Sequence, residues 1–268
     1  MKTKKIYKYV LMAALIAPLT LTSCSDDFLD VTPPDKATLQ EYYSNKEHIM
    51  EAVASTYNPM RQYDWNNEQY APLQLCSDIM ADDVWVGGGT SSDNLFLQKM
   101  SNYASTQNSG DALTGIWDQS YKGIRNANDV LTYIEWAKGV LTQADYNTFM
   151  AEAKVLRAFY YMQVWKFYGN IPFYFENLKS PYIGEQKSAD EVYKAVISDL
   201  ESAIGLNALP MKWDDKNLGR MSQAAAYMIY AEMVMYQNDE SRYAKALGYM
   251  QEIIKDKQNY DEIHRHYE

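Results

Sequence analysis

The residue types best suited to chemistry gather between Ser77 and Asn94. Asp78, Asp82, Asp83 and Asp93 supply carboxylates, Asn94 an amide, Trp85 one large aromatic ring, and Gly87, Gly88 and Gly89 a pliable stretch of backbone. Sugars are bound by such a set: an indole face stacks on the C–H face of a pyranose, while Asp and Asn pair with its hydroxyls. Trp85, Asp82, Asp83, Asp93 and Asn94 are therefore candidate ligand contacts in a loop. The residues leave a second reading of Trp85 open, in which its ring packs against neighbouring helices and the glycines merely turn the chain. Tyr63 and Trp65, in the polar stretch Tyr63-Asp64-Trp65-Asn66-Asn67, form a second candidate site.

Catalysis has little support in the same residues. A glycosidase needs two carboxylates placed across a cleft, whereas Asp26-Asp27, Asp82-Asp83 and Asp214-Asp215 are adjacent pairs on turns. No Gly-x-Ser-x-Gly, His-Glu-x-x-His or phosphate-binding loop occurs. His264 and His266 have a spacing that could hold a metal, but a solvated tail explains them as well. Cys76 stands beside Leu73 and Leu75 and reads as a small buried residue. The expectation is a non-enzyme with no cofactor and no metal site.

Cys24 carries chemistry of a different kind. Lysines at 2, 4, 5 and 8 precede 17 uncharged residues, and Leu21-Thr22-Ser23-Cys24 closes the run. A basic start, an apolar run and small residues before a cleavage point make an export signal, and the run falls short of the ~20 residues that span a bilayer. Leu-x-Ser-Cys in this place resembles a bacterial lipoprotein box, which makes Cys24 the acylated N-terminus of the mature chain. An ordinary signal peptide with a chance cysteine is the alternative. Residues 1–23 are thus read as signal peptide and 24–38, with its acids and Pro33-Pro34, as a tether. Residues 39–268 form the folded domain.

The elements that must position these groups read as helices. Without the four leading lysines, the chain holds 21 basic and 35 acidic residues, a formal charge of −14 that disfavours nucleic acid as a partner. Tyrosine is in excess, with 24 Tyr against 7 Phe and 6 Trp, which favours aromatic surfaces wet on one side. Helices are expected at 39–60, 112–138, 142–168, 188–205, 219–237 and 240–256, with breaks at Pro59, at Gly87–Gly89, at Gly169-Asn170 and near Leu209-Pro210. In 142–168, one apolar stripe runs through Phe149, Ala153, Leu156, Tyr160, Val164 and Phe167, and a second through Val155, Ala158, Met162 and Trp165. Two stripes predict a helix packed on both sides. The segment 220–236 has the same texture, with Ala224, Tyr227, Ala231 and Val234 on one side and Met221, Met228 and Met235 on another.

The expected architecture is all-α, built of antiparallel tetratricopeptide-like helical pairs with long irregular loops. The pairs are 112–138 with 142–168 and 188–205 with 219–237; their spacing is too irregular for a strict 34-residue repeat. The last helix reads as the first member of a further pair, so the domain looks unfinished at its C-terminus.

Several segments, in order, resemble the SusD/RagB family. They are Phe28-Leu29-Asp30; Ile116-Trp117 with Tyr121, Ile124 and Asn126-Ala127-Asn128; Ala151 to Tyr161; Tyr168-Gly169-Asn170-Ile171-Pro172; Glu191-Val192-Tyr193 with Asp199-Leu200; Gly219-Arg220 before Ala224-Ala225-Ala226; and Tyr243-Ala244-Lys245-Ala246-Leu247. The resemblance implies a SusD-like α-α superhelix of which this is the N-terminal half, since members are commonly about twice this length. It also implies an outer-membrane lipoprotein, facing outside, that binds nutrient oligosaccharides and delivers them to a SusC-like TonB-dependent transporter. In that family aromatic glycan contacts lie in the loop after the acidic pair, where Trp85 is the aromatic present. Asp26 and Asp27 resemble the signal for surface export. A lipid-anchored glycoside hydrolase, a scaffold that binds only the transporter, and a peptide ligand are alternatives. Trp117 is expected as a core anchor, Arg157 as a partner of backbone carbonyls or a carboxylate, and Asn126 and Asn128 as local hydrogen bonders.

Overall fold

The computed structural model describes residues 37–61, 73–104 and 112–255. Residues 37–42 form a unit of their own, a single turn of helix α1 (Leu39–Tyr42). Thr38 Oγ1 accepts from the Glu41 N–H at 3.2 Å, and Glu41 Oε2 accepts from the Thr38 N–H at 2.7 Å, so the two residues cap the turn reciprocally. Everything that follows belongs to a second unit.

That unit consists of α2 (Lys46–Arg61), α3 (Leu73–Met80), α4 (Leu95–Ser101), α5 (Ala112–Trp136), α6 (Gln143–Tyr168), α7 (Ala189–Gly205), α8 (Gln223–Gln237) and α9 (Tyr243–Lys255). Between α6 and α7 lie β1 (Ile171–Pro172) and β2 (Gln186–Lys187), an antiparallel pair with Ile171 opposite Lys187. The expected all-α architecture is therefore present. Side-chain caps start α6, α7 and α8: Thr142, Ser188 and Ser222 accept from the N–H groups of Asp145, Glu191 and Ala225. Asn238, in the left-handed conformation at φ 60°, ends α8.

Helix α6 is the hub. It packs against α2, α5, α7 and α8, and it buries Phe149, Ala151 to Ala153, Val155 to Ala158 and Tyr160 to Trp165, which is the double stripe expected of a helix enclosed on both sides. Tyr168, at its end, donates to the carbonyl of Leu113 at the start of α5, so the two run antiparallel. Gly123 of α5 lets them approach: a Cβ there would stand 2.3 Å from the ring of Tyr160. Helices α7 and α8 are likewise antiparallel, with Tyr193 bonded to Asp239 at one end and Gln223 to the Ile204 carbonyl at the other. Helix α9 pairs with α8 through Tyr227 stacked on Tyr249. One core cluster follows α6, α7 and α8; a second joins α2, α5 and α6; a third joins α3, α4 and the start of α5.

Five expectations need correction. The helix over 39–60 is two, because Asn45 accepts from the His48 N–H at 2.9 Å and starts α2 afresh. Pro59 does not end a helix but sits buried inside the last turn of α2. Its missing N–H deprives the Ser55 carbonyl of a helical donor, and Asn126 Nδ2 donates to that carbonyl at 3.2 Å instead. Residues 77–80 belong to α3 rather than to a loop. Helix α8 begins at Gln223, after Gly219 in a positive-φ turn, and a 3-10 turn at Glu240–Arg242 precedes α9. The methionine face is only partly packed: Met221, just before α8, is buried, but Met228 and Met235 are exposed, as is Leu247 of α9.

Trp117, Arg157 and Cys76 behave as expected, whereas Asn126 and Asn128 bond not locally but across the fold, Asn126 to the Ser55 carbonyl and Asn128 to Arg157 and Asn177. Trp117 is half-buried against Tyr121 and Tyr168. Arg157 is buried and reaches Asp199 Oδ2 through Nε at 3.1 Å and Nη2 at 2.6 Å, while Nη1 donates to Asn128 Oδ1 and to the Phe175 carbonyl. Cys76 is fully buried.

Candidate functional site

Helices α3 and α4 are short, and the third core cluster holds them against α5. Cys76 and Ile79 of α3 meet Leu97 and Met100 of α4 and Ile116 of α5 in its buried centre. The connection from residue 81 to residue 94 arches away from this base. Tyr103, just after α4, donates to the Met80 carbonyl at the end of α3, tying the two ends of the arch together.

Within the arch, neighbouring side chains face opposite ways. Val86 turns inward and packs on the core cluster, whereas the Trp85 ring next to it is 89 % exposed. Of the two readings left open by the sequence, packing of Trp85 between helices does not hold. An indole this exposed is open to a ligand from solvent.

Trp85, Val86, the glycine run 87–89, Thr90 and Ser91 line a cavity of about 450 Å³. Gln98, Ser101 and Asn102, from α4 and its end, line the same cavity. Every lining side chain is uncharged, and together they offer hydroxyls and amides around one aromatic wall. That chemistry suits a neutral polyhydroxylated ligand lying against a ring.

The other candidates have different places. Asp93 does not line the cavity; its carboxylate accepts from Gly89 N at 2.6 Å, Thr90 N at 3.0 Å and Thr90 Oγ1 at 3.0 Å. Those three bonds, the Thr90 hydroxyl foremost, hold its pKa below the ordinary aspartate value. Asn94 begins α4 in the left-handed conformation at φ 50° and makes no side-chain cap. Asp82, also left-handed at φ 63°, and Asp83 are exposed in the turn that closes α3 and stand outside the cavity wall. Tyr63, Trp65, Cys24, residues 24–36 of the expected tether, and His264 and His266 lie outside the described residues, while Thr38, the last residue of that tether, caps α1. Gln98, Ser101 and Asn102 were missed by the sequence reading. Gln98 and Ser101 lie three apart on a helix just beyond the glycine loop, and that polar spacing was the available signal.

A second, smaller cavity of about 170 Å³ has apolar walls from Met50, Val53 and Phe149 and a floor of Glu152 and Arg220. Here the charges are already matched: Arg220 forks onto both oxygens of Glu152, and Tyr57 donates to the same carboxylate. Burial and the Glu152 charge push the Tyr57 phenol well above its ordinary range. The cluster joins α2, α6 and the approach to α8, which is a structural task. Among the described residues, no group of three or more His, Cys, Asp or Glu side chains could hold a metal ion, and no helix is long and apolar enough to cross a membrane.

Residues 27–235 match the SusD-like family described as "Starch-binding associating with outer membrane". The chain belongs to the SusD-like family. A SusD-like protein of Formosa agariphila is 26 % identical over 264 residues, covering 95 % of this chain and 46 % of that protein. Among SusD-like solved structures, the surface glycan-binding protein A of Bacteroides uniformis superposes with a TM-score of 0.74 at 44 % identity, covering 78 % of this chain and 46 % of that one. Surface glycan-binding protein A of Bacteroides thetaiotaomicron, in complex with laminarihexaose, does so with a TM-score of 0.71 at 45 % identity, covering 78 % and 42 %. The chain thus spans less than half the length of these SusD-like relatives.

Proposed function

We propose that this chain captures oligosaccharides at the outer face of the outer membrane and delivers them, unaltered, to a SusC-like TonB-dependent transporter. The observation that carries the reading is the exposed Trp85 at a cavity whose lining is uncharged throughout and includes the hydroxyls of Thr90, Ser91 and Ser101 and the amides of Gln98 and Asn102. Likeness to surface glycan-binding proteins, one of them holding laminarihexaose, supports the ligand class. Binding rather than hydrolysis is favoured because no carboxylate lines the cavity among the described residues, where a glycosidase would need two. In this reading Cys24 carries the lipid and residues 24–38 are the tether, Asp26 and Asp27 direct the chain outward, and residues 39–268 fold as the N-terminal portion of the binding domain. Trp65 and Tyr63 stand as a second contact region, and Asn94, Asp82 and Asp83 as contacts for a longer ligand reaching beyond the cavity.

Calorimetry with laminarihexaose tests it. The full chain should bind the hexasaccharide and release no shorter products, and Trp85→Ala should weaken binding about tenfold or more, the loss typical of a central aromatic anchor. Unchanged affinity in that variant would remove the site. Cys24→Ala should free the protein from detergent extracts of membranes, and Asp26→Ala with Asp27→Ala should reduce protease labelling on intact cells.

A further inference from the structure

Asp93 stands in an unusual position for a residue beside a ligand cavity, because its carboxylate is directed at its own loop. Oδ2 accepts from the backbone of Gly89 and Thr90, and Oδ1 from the Thr90 hydroxyl. Its N–H donates to the Thr90 carbonyl at 3.1 Å, while its own carbonyl accepts from Gln98 Nε2 at 2.7 Å. One residue is therefore bonded forward to α4 and backward to the loop.

Three consecutive glycines have wide backbone freedom, so the wall they form needs an outside constraint. The carboxylate is that constraint: bonds from N–H groups to an ionised acceptor are about twice as strong as neutral ones. Gly88 passes directly over the Asp93 side chain, where an added Cβ would lie 2.5 Å from Asp93 Cβ. Loop and carboxylate are fitted to one another. Gln98, meanwhile, lines the cavity and is also bonded to the Asp93 carbonyl, so the α4 side chain that joins the lining is referenced to the same residue.

We propose that Asp93 is a positioning residue, whose carboxylate holds residues 87–92 in the shape that completes the Trp85 cavity without itself touching the glycan. This rests on the reading of that cavity as the glycan site. With its charge turned to the loop amides, the cavity shows a bound sugar only neutral groups.

The test compares Asp93→Ala, Asp93→Asn and Gly88→Ala in the full chain by amide hydrogen exchange, laminarihexaose affinity and thermal midpoint. Asparagine can still accept from both amides through its carbonyl oxygen and meet the Thr90 hydroxyl through its NH₂. Asp93→Ala should speed exchange at Gly89 and Thr90 by about tenfold or more and weaken binding by a similar factor, at an unchanged thermal midpoint. Asp93→Asn should restore both, and Gly88→Ala should resemble Asp93→Ala although it removes no polar group. Parent-like exchange in Asp93→Ala would overturn the proposal. So would an Asp93→Asn protein with a protected loop and alanine-like affinity, since that pattern belongs to a charge touching the ligand. A parent chain that ignores the hexasaccharide, or a Trp85→Ala chain that binds it normally, would instead fail the reading of the site, while the exchange comparison still decides whether Asp93 holds the loop.

Discussion

Arg220 meets the fully buried Glu152 with both arms of its guanidinium, Nε to Oε1 at 3.1 Å and Nη2 to Oε2 at 2.5 Å. The guanidinium also lies 4.2 Å from the ring centre of Trp213, and Tyr57, bonded to the same carboxylate, accepts from the Met221 N–H at 2.7 Å. Residues 57, 152 and 220 are far apart in sequence, so this contact closes α2 and the entry to α8 onto α6. Removing Arg220 strands a buried carboxylate, and breaking a pair in this way costs about 3–5 kcal/mol. Arg220→Ala should show that loss in urea unfolding. A change within about 0.5 kcal/mol, the range of ordinary surface substitutions, would mean the pair does not hold the helices together.

Gly123 should be nearly as intolerant for a steric reason. An alanine Cβ would come within 2.3–2.4 Å of three carbons of the Tyr160 ring, which is itself fully buried and bonded to the Thr56 carbonyl. Neither the ring nor α5 can yield without disturbing the α5–α6 contact. Gly123→Ala should therefore destabilise by about 1–3 kcal/mol, the usual range for overpacking a core, despite alanine's better helix propensity. Calorimetric unfolding would read it as a lower midpoint.

Trp85 should behave in the opposite way, with binding lost and the fold retained. Its ring is 89 % exposed, so Trp85→Ala should change unfolding free energy by no more than about 0.5 kcal/mol. Circular dichroism and urea unfolding would check this beside the binding measurement. A large loss of stability would show that the indole anchors the arch, and would separate that role from ligand contact.

Asp239 supplies a pH test. Ser241, Tyr193 and Arg242 all donate to its carboxylate, and they lower its pKa from 3.8 to about 2. A carboxylate depressed in the folded state stabilises fully above its unfolded pKa and loses that contribution as pH falls through the folded value. Its share of the α7–α8 contact should fade between about pH 4 and pH 2. Carboxyl-carbon NMR should give a midpoint near 2 for Asp239, and Arg242→Ala should move it upward. A midpoint near 3.8 in the intact chain would show that the cluster does not form.

The helices were legible because they are written locally, and their antiparallel pairing followed from the connections between them. The double stripe of 142–168 involves residues within one or two turns of each other, the range over which helical hydrogen bonds and side-chain rows repeat. The methionines at 228 and 235 show the limit of that reading. Periodicity marks a face as apolar, yet only the neighbours of α8 decide that this face stays exposed.

By itself, then, the sequence determined an acidic, all-α chain of paired helices with a polar, glycine-rich loop bearing one tryptophan. Tertiary structure alone decided that Trp85 faces solvent while Val86 packs partly buried on the core, and that Gln98, Ser101 and Asn102 line the same cavity as Trp85. It decided too that the Asp93 carboxylate is turned onto the loop amides, and that Asn126 answers the carbonyl freed by Pro59. The reason is physical: a helix satisfies its backbone from residues four positions away, whereas a loop residue's partners are set by whatever the packed helices bring beside it.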